Sequence, residues 1–206
     1  MSLLSDTTSQ TYSDPETLYL VAHQILQQAI DLLNSIPDDQ VYAKPSHVMF
    51  GGSIGKHIRH LYDHFELLLV NNPSLEHNKA TSWIVDFDAR SRDVPMERHR
   101  DAAQTAFARM QDRINNLKHR IPHDTPVTLA ATIDAASTAK YMFNSTLDRE
   151  LWYCCMHAIH HYAAIKAICV ENGLSTPKEF GLAPSTAQHQ HQLEEQQRSN
   201  RLQGHL

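Results

Sequence analysis

Histidines at 157, 160 and 161 stand in the run MHAIHHYAAIKAIC, which holds no glycine, no proline and no charge before Lys166. On a helix, positions 157 and 161 are one turn apart and face the same way. Two imidazoles so placed form half of a metal site. A second histidine-rich stretch, SIGKHIRHLYDHFELLL, precedes it by about a hundred residues and carries His57, His60 and His64. Three imidazoles from two helices would present one face of nitrogen donors and leave positions for water or substrate. Such an open set suits catalysis, because a structural zinc closes with a fourth protein ligand.

Both stretches read as amphipathic helices. In the later one, Leu147, Leu151, Cys154, Ala158, Ile165, Ile168 and Cys169 form an apolar stripe at helical spacing. At about 100° per residue, His161 falls just inside the stripe's edge and His157 beside it, while His160 lies further round. In the earlier one the stripe is Ile54, Ile58, Leu61, Phe65 and Leu68. His57, His60 and His64 share one flank of it. Spacing leaves the choice among these three open and marginally favours His57 or His64.

Elements that would position these residues follow from caps and breakers. Ser13-Asp14-Pro15-Glu16 has the form of a capping box and opens a helix that ends between Asn34 and Pro37. Ser53 caps the second helix, which runs to about Asn71-Asn72-Pro73. Residues 73 to 94 read as irregular. Pro95 opens a third helix, stopped by Pro122. Residues 125 to 144 alternate apolar and small residues at Val127, Leu129, Ala131 and Ile133 and read as a short β-hairpin. Ser145 caps the last helix, which stops at Asn172-Gly173. The sequence therefore predicts an all-α four-helix bundle with long connections and a small β-hairpin before the last helix. Residues 1–12 read as a disordered start, 13–186 as the domain, and 187–206 as a loose polar tail.

Composition bounds the function. With 206 residues, 41% apolar and 20% charged, the chain can bury one core without disulfides. A net charge of −5 with no basic stripe argues against nucleic acid. No apolar run is long enough to span a membrane, and the polar, acidic start is unlike a secretion signal. Cys154, Cys155 and Cys169 sit in one apolar helix and read as reduced, inert thiols of a cytoplasmic protein.

The pieces SIGKHIRHLYDHF, FDARSRDVPMER, STLDRELWYCCMHAIHHYAAI and EFGLAPST, in that order, make the chain resemble the DinB/YfiT-like superfamily of metal-binding four-helix bundles over about residues 50 to 186. His60-Leu61-Tyr62-Asp63 resembles that family's H-x-x-D ligand motif, and His157-x-x-x-His161 resembles the ligand pair of its last helix. The resemblance thus implies His60, His157 and His161 as metal ligands, where spacing had not chosen His60. It implies a divalent ion (zinc, nickel or iron), and a homodimer by family analogy. Relatives include thiol-dependent transferases, a thiol-dependent isomerase and the helical domain of iron enzymes that need a second, larger domain. The isomerase branch carries glutamate where this chain has His157. The implied function is a metal-dependent enzyme transferring a low-molecular-weight thiol to a small electrophile. The alternative is a non-enzymatic metal-binding or stress-response bundle.

Groups able to orient the ligands are Asp63, Glu150, Asp148, His64 and His160, since a metal-bound imidazole usually donates its other N–H to a neighbour. Arg90 and Arg92 are candidates for binding an anionic substrate. Tyr62, Tyr153 and Trp83 are candidates to line a pocket, with core packing as the ordinary role. His189 and His191 read as solvated. The catalytic residue, beyond the ion itself, is not identified by sequence.

Overall fold

The computed structural model describes residues 14, 16–70, 83–89, 92–118 and 120–203. Its elements, in order, are α1 (Glu16–Ser35), α2 (Asp39–Ala43), α3 (Ile54–Leu69), β1 (Trp83–Val85), a 3-10 turn (Pro95–Glu97), α4 (Arg100–Leu117), β2 (Pro126–Ala131), β3 (Tyr141–Thr146), α5 (Leu147–Glu171) and α6 (Pro184–Gln203). The four helices of the core make their main contacts in the cyclic order α1, α4, α3, α5. Between them lies one apolar core that includes Leu26, Leu33, Ile58, Leu61, Phe65, Phe107, Leu151, Ala158 and Ile165. The protein is mostly helical with a small sheet, as its periodicity requires.

The helix starts are set locally. Asp14 accepts from the Glu16 amide at 2.9 Å at the start of α1, while Ser13 and Pro15 of the expected capping box lie outside the described residues. Ser53 accepts from Lys56 at 3.1 Å and caps α3. On α5 the capping hydroxyl is that of Thr146, one residue past the expected Ser145, and it accepts from the Arg149 amide. Ser145 still lies in β3 and its hydroxyl donates to Glu150 at 2.5 Å. Gly173, with φ +70, ends α5 as read from sequence. Phe180 of the following loop is buried and stacks on Tyr162 with ring centroids 4.6 Å apart.

Several expectations are corrected. Pro95 begins a separate 3-10 turn, and α4 starts only at Arg100. Its cap comes from elsewhere in the chain: Asp39 of α2 accepts from the Arg100 amide at 3.0 Å. The hairpin of β2 and β3 is joined by a third strand, β1, from the stretch read as irregular. β1 pairs parallel to β2 with Trp83 opposite Val127, and β2 pairs antiparallel to β3 with Leu129 opposite Phe143. Three residues are too few to declare themselves by alternation; the pairing partner makes the strand. A helix over Pro184–Gln203 takes in residues 187–203 of the expected loose tail; it is started by Pro184 and rich in good helix formers. From Pro184 to Asn200 none of its residues is buried, so it adds nothing to the core. The reading of residues 1–12 lies outside the described residues.

The 3-10 turn is clamped to α3. Tyr42 donates its hydroxyl to the Met96 carbonyl at 2.7 Å. Gly55 lies so close that a Cβ there would sit 2.1 Å from the Glu97 carbonyl oxygen. Arg59 of α3 is buried and forms ion pairs with Asp63, one turn on, and with Glu97, whose Oε1 is 2.9 Å from Nε. No helix among the described residues is long and apolar enough to cross a membrane.

Candidate metal centre

α3 and α5 run antiparallel, so the histidines of one meet those of the other in reversed order. His57 pairs with His161, His60 sits between His161 and His157, and His64 stacks on His157. The ring centroids of His60 lie 4.7 Å from His161 and 5.0 Å from His157, and the last two are 4.5 Å apart. His60, His157 and His161 each offer one nitrogen, and all three nitrogens lie within 4.8 Å of one another. Among the described residues no other three histidines, cysteines or carboxylates converge in this way. The triad named from the resemblance is therefore a single cluster at the α3–α5 interface.

The residues fit a divalent cation. His157 Nε2 is buried and has no hydrogen-bond partner. A buried polar atom left unmade costs about 1–3 kcal/mol, and an ion would satisfy it. Burial pushes the His157 pKa down to about 2, helped by the imidazoles of His64, His161 and His60. His157 therefore stays neutral at physiological pH, the form that coordinates a metal. His157, His60 and His161 are each only half-buried.

Around the triad, His64 is buried and donates from Nδ1 to the His60 carbonyl at 3.0 Å. Its ring is sandwiched between His157, at 3.8 Å, and Phe87, at 4.9 Å. Tyr153 stands 5.5 Å from Phe87 and 5.8 Å from His157, and the Arg149 guanidinium lies 5.5 Å from the Tyr153 ring. Phe87 and Tyr153 thus form an aromatic wall at one end of the cluster. Behind Phe87, Lys140 ties the β1 end to the hairpin through Asp86 at 3.2 Å and Asp88 at 2.9 Å.

The other candidates are placed as follows. Asp63 is paired with Arg59. Glu150 is fully buried; Ser145 and, at 2.7 Å, Arg149 donate to its Oε1, while Oε2 has no hydrogen-bond partner. Asp148 faces His123 at 3.4 Å. His160 is exposed on the outer side of α5, and Arg92 is exposed in its loop. Arg90 lies outside the described residues. Trp83 is buried in the core and Tyr62 packs on Phe107 at 5.3 Å, so of the three aromatics only Tyr153 adjoins the cluster. His189 is exposed, and His191, also exposed, pairs with Glu179 at 2.7 Å. Cys154, Cys155 and Cys169 are free and buried; burial raises all three thiols, Cys155 to about 12 and Cys169 to about 11. None of them supplies a thiolate at neutral pH.

Two groups near the site were not singled out for the place they take. Phe87 opens the piece FDARSRDVPMER, where no periodicity marks it. His57 was weighed only as a ligand, yet its Nδ1 lies 2.8 Å from His161 Nδ1, as a hydrogen-bond partner.

Four packed helices, a small sheet and a three-histidine cluster between α3 and α5 define a helical domain with a candidate metal site. The model of the DinB superfamily matches residues 22–165, well over half of the chain, and the chain belongs to that superfamily. Among curated proteins, "FK506-binding protein 5" of Rhizopus delemar is 39% identical over 166 residues. That match covers 80% of this chain and 36% of the relative, so the chain spans about a third of the relative's length. No solved structure matches the chain.

Proposed function

We propose that the protein is a metal-dependent small-molecule enzyme, with His60, His157 and His161 holding one divalent cation and an external thiol as co-substrate. The observation that carries this reading is the convergence of three half-buried imidazoles around a buried His157 Nε2 that has no protein partner. Three protein ligands leave coordination positions open. A cation so held stabilises a thiolate or oxyanion, or lowers the pKa of bound water toward about 7.

The chain's own residues support an external thiol rather than an internal one. The three cysteines are buried with raised pKa values and stay protonated. Phe87 and Tyr153 give the cluster an apolar, aromatic edge against which the non-reacting part of an electrophile can pack. Arg149, beside Tyr153, is the cation nearest that edge among the ring contacts described. Imidazole nitrogens suit zinc, nickel and iron alike, so the identity of the ion is a matter for measurement.

The test is elemental analysis of the purified protein, followed by turnover assays with low-molecular-weight thiols and model electrophiles. One ion per chain is expected, lost in His60→Ala, His157→Ala and His161→Ala. No divalent ion in the wild-type protein overturns the reading. A bound ion with no turnover of any thiol reduces it to a non-enzymatic metal-binding bundle.

A further inference from the structure

His57 lies beside the proposed cation site without belonging to it. It is absent from the set of donors that lie within 4.8 Å of one another. Its Nδ1 nevertheless stands 2.8 Å from His161 Nδ1, with ring centroids 5.1 Å apart. Two imidazole nitrogens at that distance share one proton: one ring donates and the other accepts.

Chemistry decides which. An imidazole coordinates a cation through the nitrogen that carries no proton. With Nδ1 of His161 engaged by His57, Nε2 is the nitrogen left to it for a cation. That nitrogen is unprotonated only when the His161 proton sits on Nδ1. The shared proton therefore belongs to His161, and His57 Nδ1 accepts it. His57 in turn carries its own proton on Nε2.

Position 52 is shaped to this ring. A Cβ on Gly52 would lie 2.9 Å from His57 Nε2 and 2.9 Å from the Met49 carbonyl oxygen. Glycine leaves the volume that the imidazole occupies. The usual partner of a metal-bound histidine is a carboxylate or a carbonyl. Two carboxylates expected in that role form other contacts here: Asp63 with Arg59, and Glu150 with Ser145 and Arg149.

We propose that His57 is a positioning residue: by accepting the His161 Nδ1–H it selects the tautomer that presents Nε2 to the cation, and Gly52 keeps the space it needs. This rests on the metal reading above. Partners of this kind typically cost about 10- to 100-fold in metal affinity when removed.

The test uses the full chain, with zinc titrated against a competing chromogenic chelator. His57→Ala is expected to bind zinc about 10- to 100-fold more weakly at the same one-to-one stoichiometry. His57→Gln, whose side-chain oxygen can accept from His161, should recover most of the loss. Gly52→Ala should weaken binding as well, by pushing the ring aside. A second readout needs no metal: long-range nitrogen–proton NMR of 15N-histidine protein should show His161 protonated at Nδ1 in the wild type and a mixed tautomer in His57→Ala. Wild-type zinc affinity together with an unchanged His161 tautomer in His57→Ala overturns the proposal alone. Failure of the wild-type protein to take up zinc overturns the metal reading and this proposal with it.

Discussion

Helix α3 carries two groups of polar side chains on different sides, and they are resolved in opposite ways. On the side facing the 3-10 turn, Arg59, Asp63 and Glu97 are buried, and cation and carboxylates find each other. On the side facing α5, imidazoles crowd against imidazoles and His157 Nε2 is left without a partner. The first group pairs opposite charges within the folded protein. The second gathers groups of one kind. Buried polar groups in folded proteins are nearly always satisfied, so an orphaned nitrogen amid converging imidazoles marks a candidate site, while opposite charges paired in the interior mark a structural joint.

The largest expected effect breaks the joint. Arg59→Ala leaves two buried carboxylates without their cation and should cost about 3–5 kcal/mol of stability, read by chemical denaturation. Zinc taken up per folded molecule should not change. If uptake falls instead, the two sides of α3 are not separate.

Next comes the site. Zinc at a hundred times its dissociation constant should stabilise the wild-type chain by about 2.7 kcal/mol. His157→Leu should abolish that gain. Without metal the same variant should be more stable than the wild type, by about 1 kcal/mol, because a buried unsatisfied nitrogen is gone. Thermal unfolding with and without zinc measures both. A metal-free variant weaker than the wild type would show that His157 is a structural residue.

Gly55→Ala probes how the turn is docked. Its Cβ would collide with the Glu97 carbonyl, so a loss of about 1–3 kcal/mol is expected from overpacking. The His161 and His157 resonances should stay where they are. Movement of both would mean that the docked turn also sets the imidazole cluster.

The smallest effect concerns the exposed counterpart of the buried ion pairs, the Lys140 clamp. Hydrogen bonds from Lys140 and Thr132 lower the Asp88 carboxyl from 3.8 to about 2. A carboxylate whose folded pKa is depressed adds stability above its unfolded pKa, and that contribution is lost as pH falls from about 3.8 towards 2. The pair is exposed, so the change in global stability should be slight. NMR titration of the Asp88 carboxyl should place its midpoint near 2, and Lys140→Met should return it towards 3.8. A midpoint already near 3.8 in the wild type would remove the clamp.

Much of the helical framework was legible in the residues. The Ser53 cap, the stop at Gly173 and the stripe from Leu147 to Cys169 each appear where local chemistry puts them. The alternation at Val127 and Leu129 gave β2 but not its parallel neighbour β1, which has only three residues and borrows its order from β2. The helix at Pro184–Gln203 was missed because it has no apolar face to mark it. The start of α4 was misplaced because its cap, Asp39, lies 61 residues away.

Sequence by itself determined which residues share a face of each helix, and with it the His157–His161 pair. That follows from the fixed rotation of about 100° per residue, which holds whatever the helix touches. Spacing could not determine which of His57, His60 and His64 would reach that pair; only the family resemblance picked His60. That choice depends on how far α3 is turned about its own axis when its apolar stripe seats against two neighbours at once, and on the height at which it crosses α5. Those are properties of packing. The tertiary structure brought His60 between His157 and His161, set His57 behind His161 and slid His64 under His157.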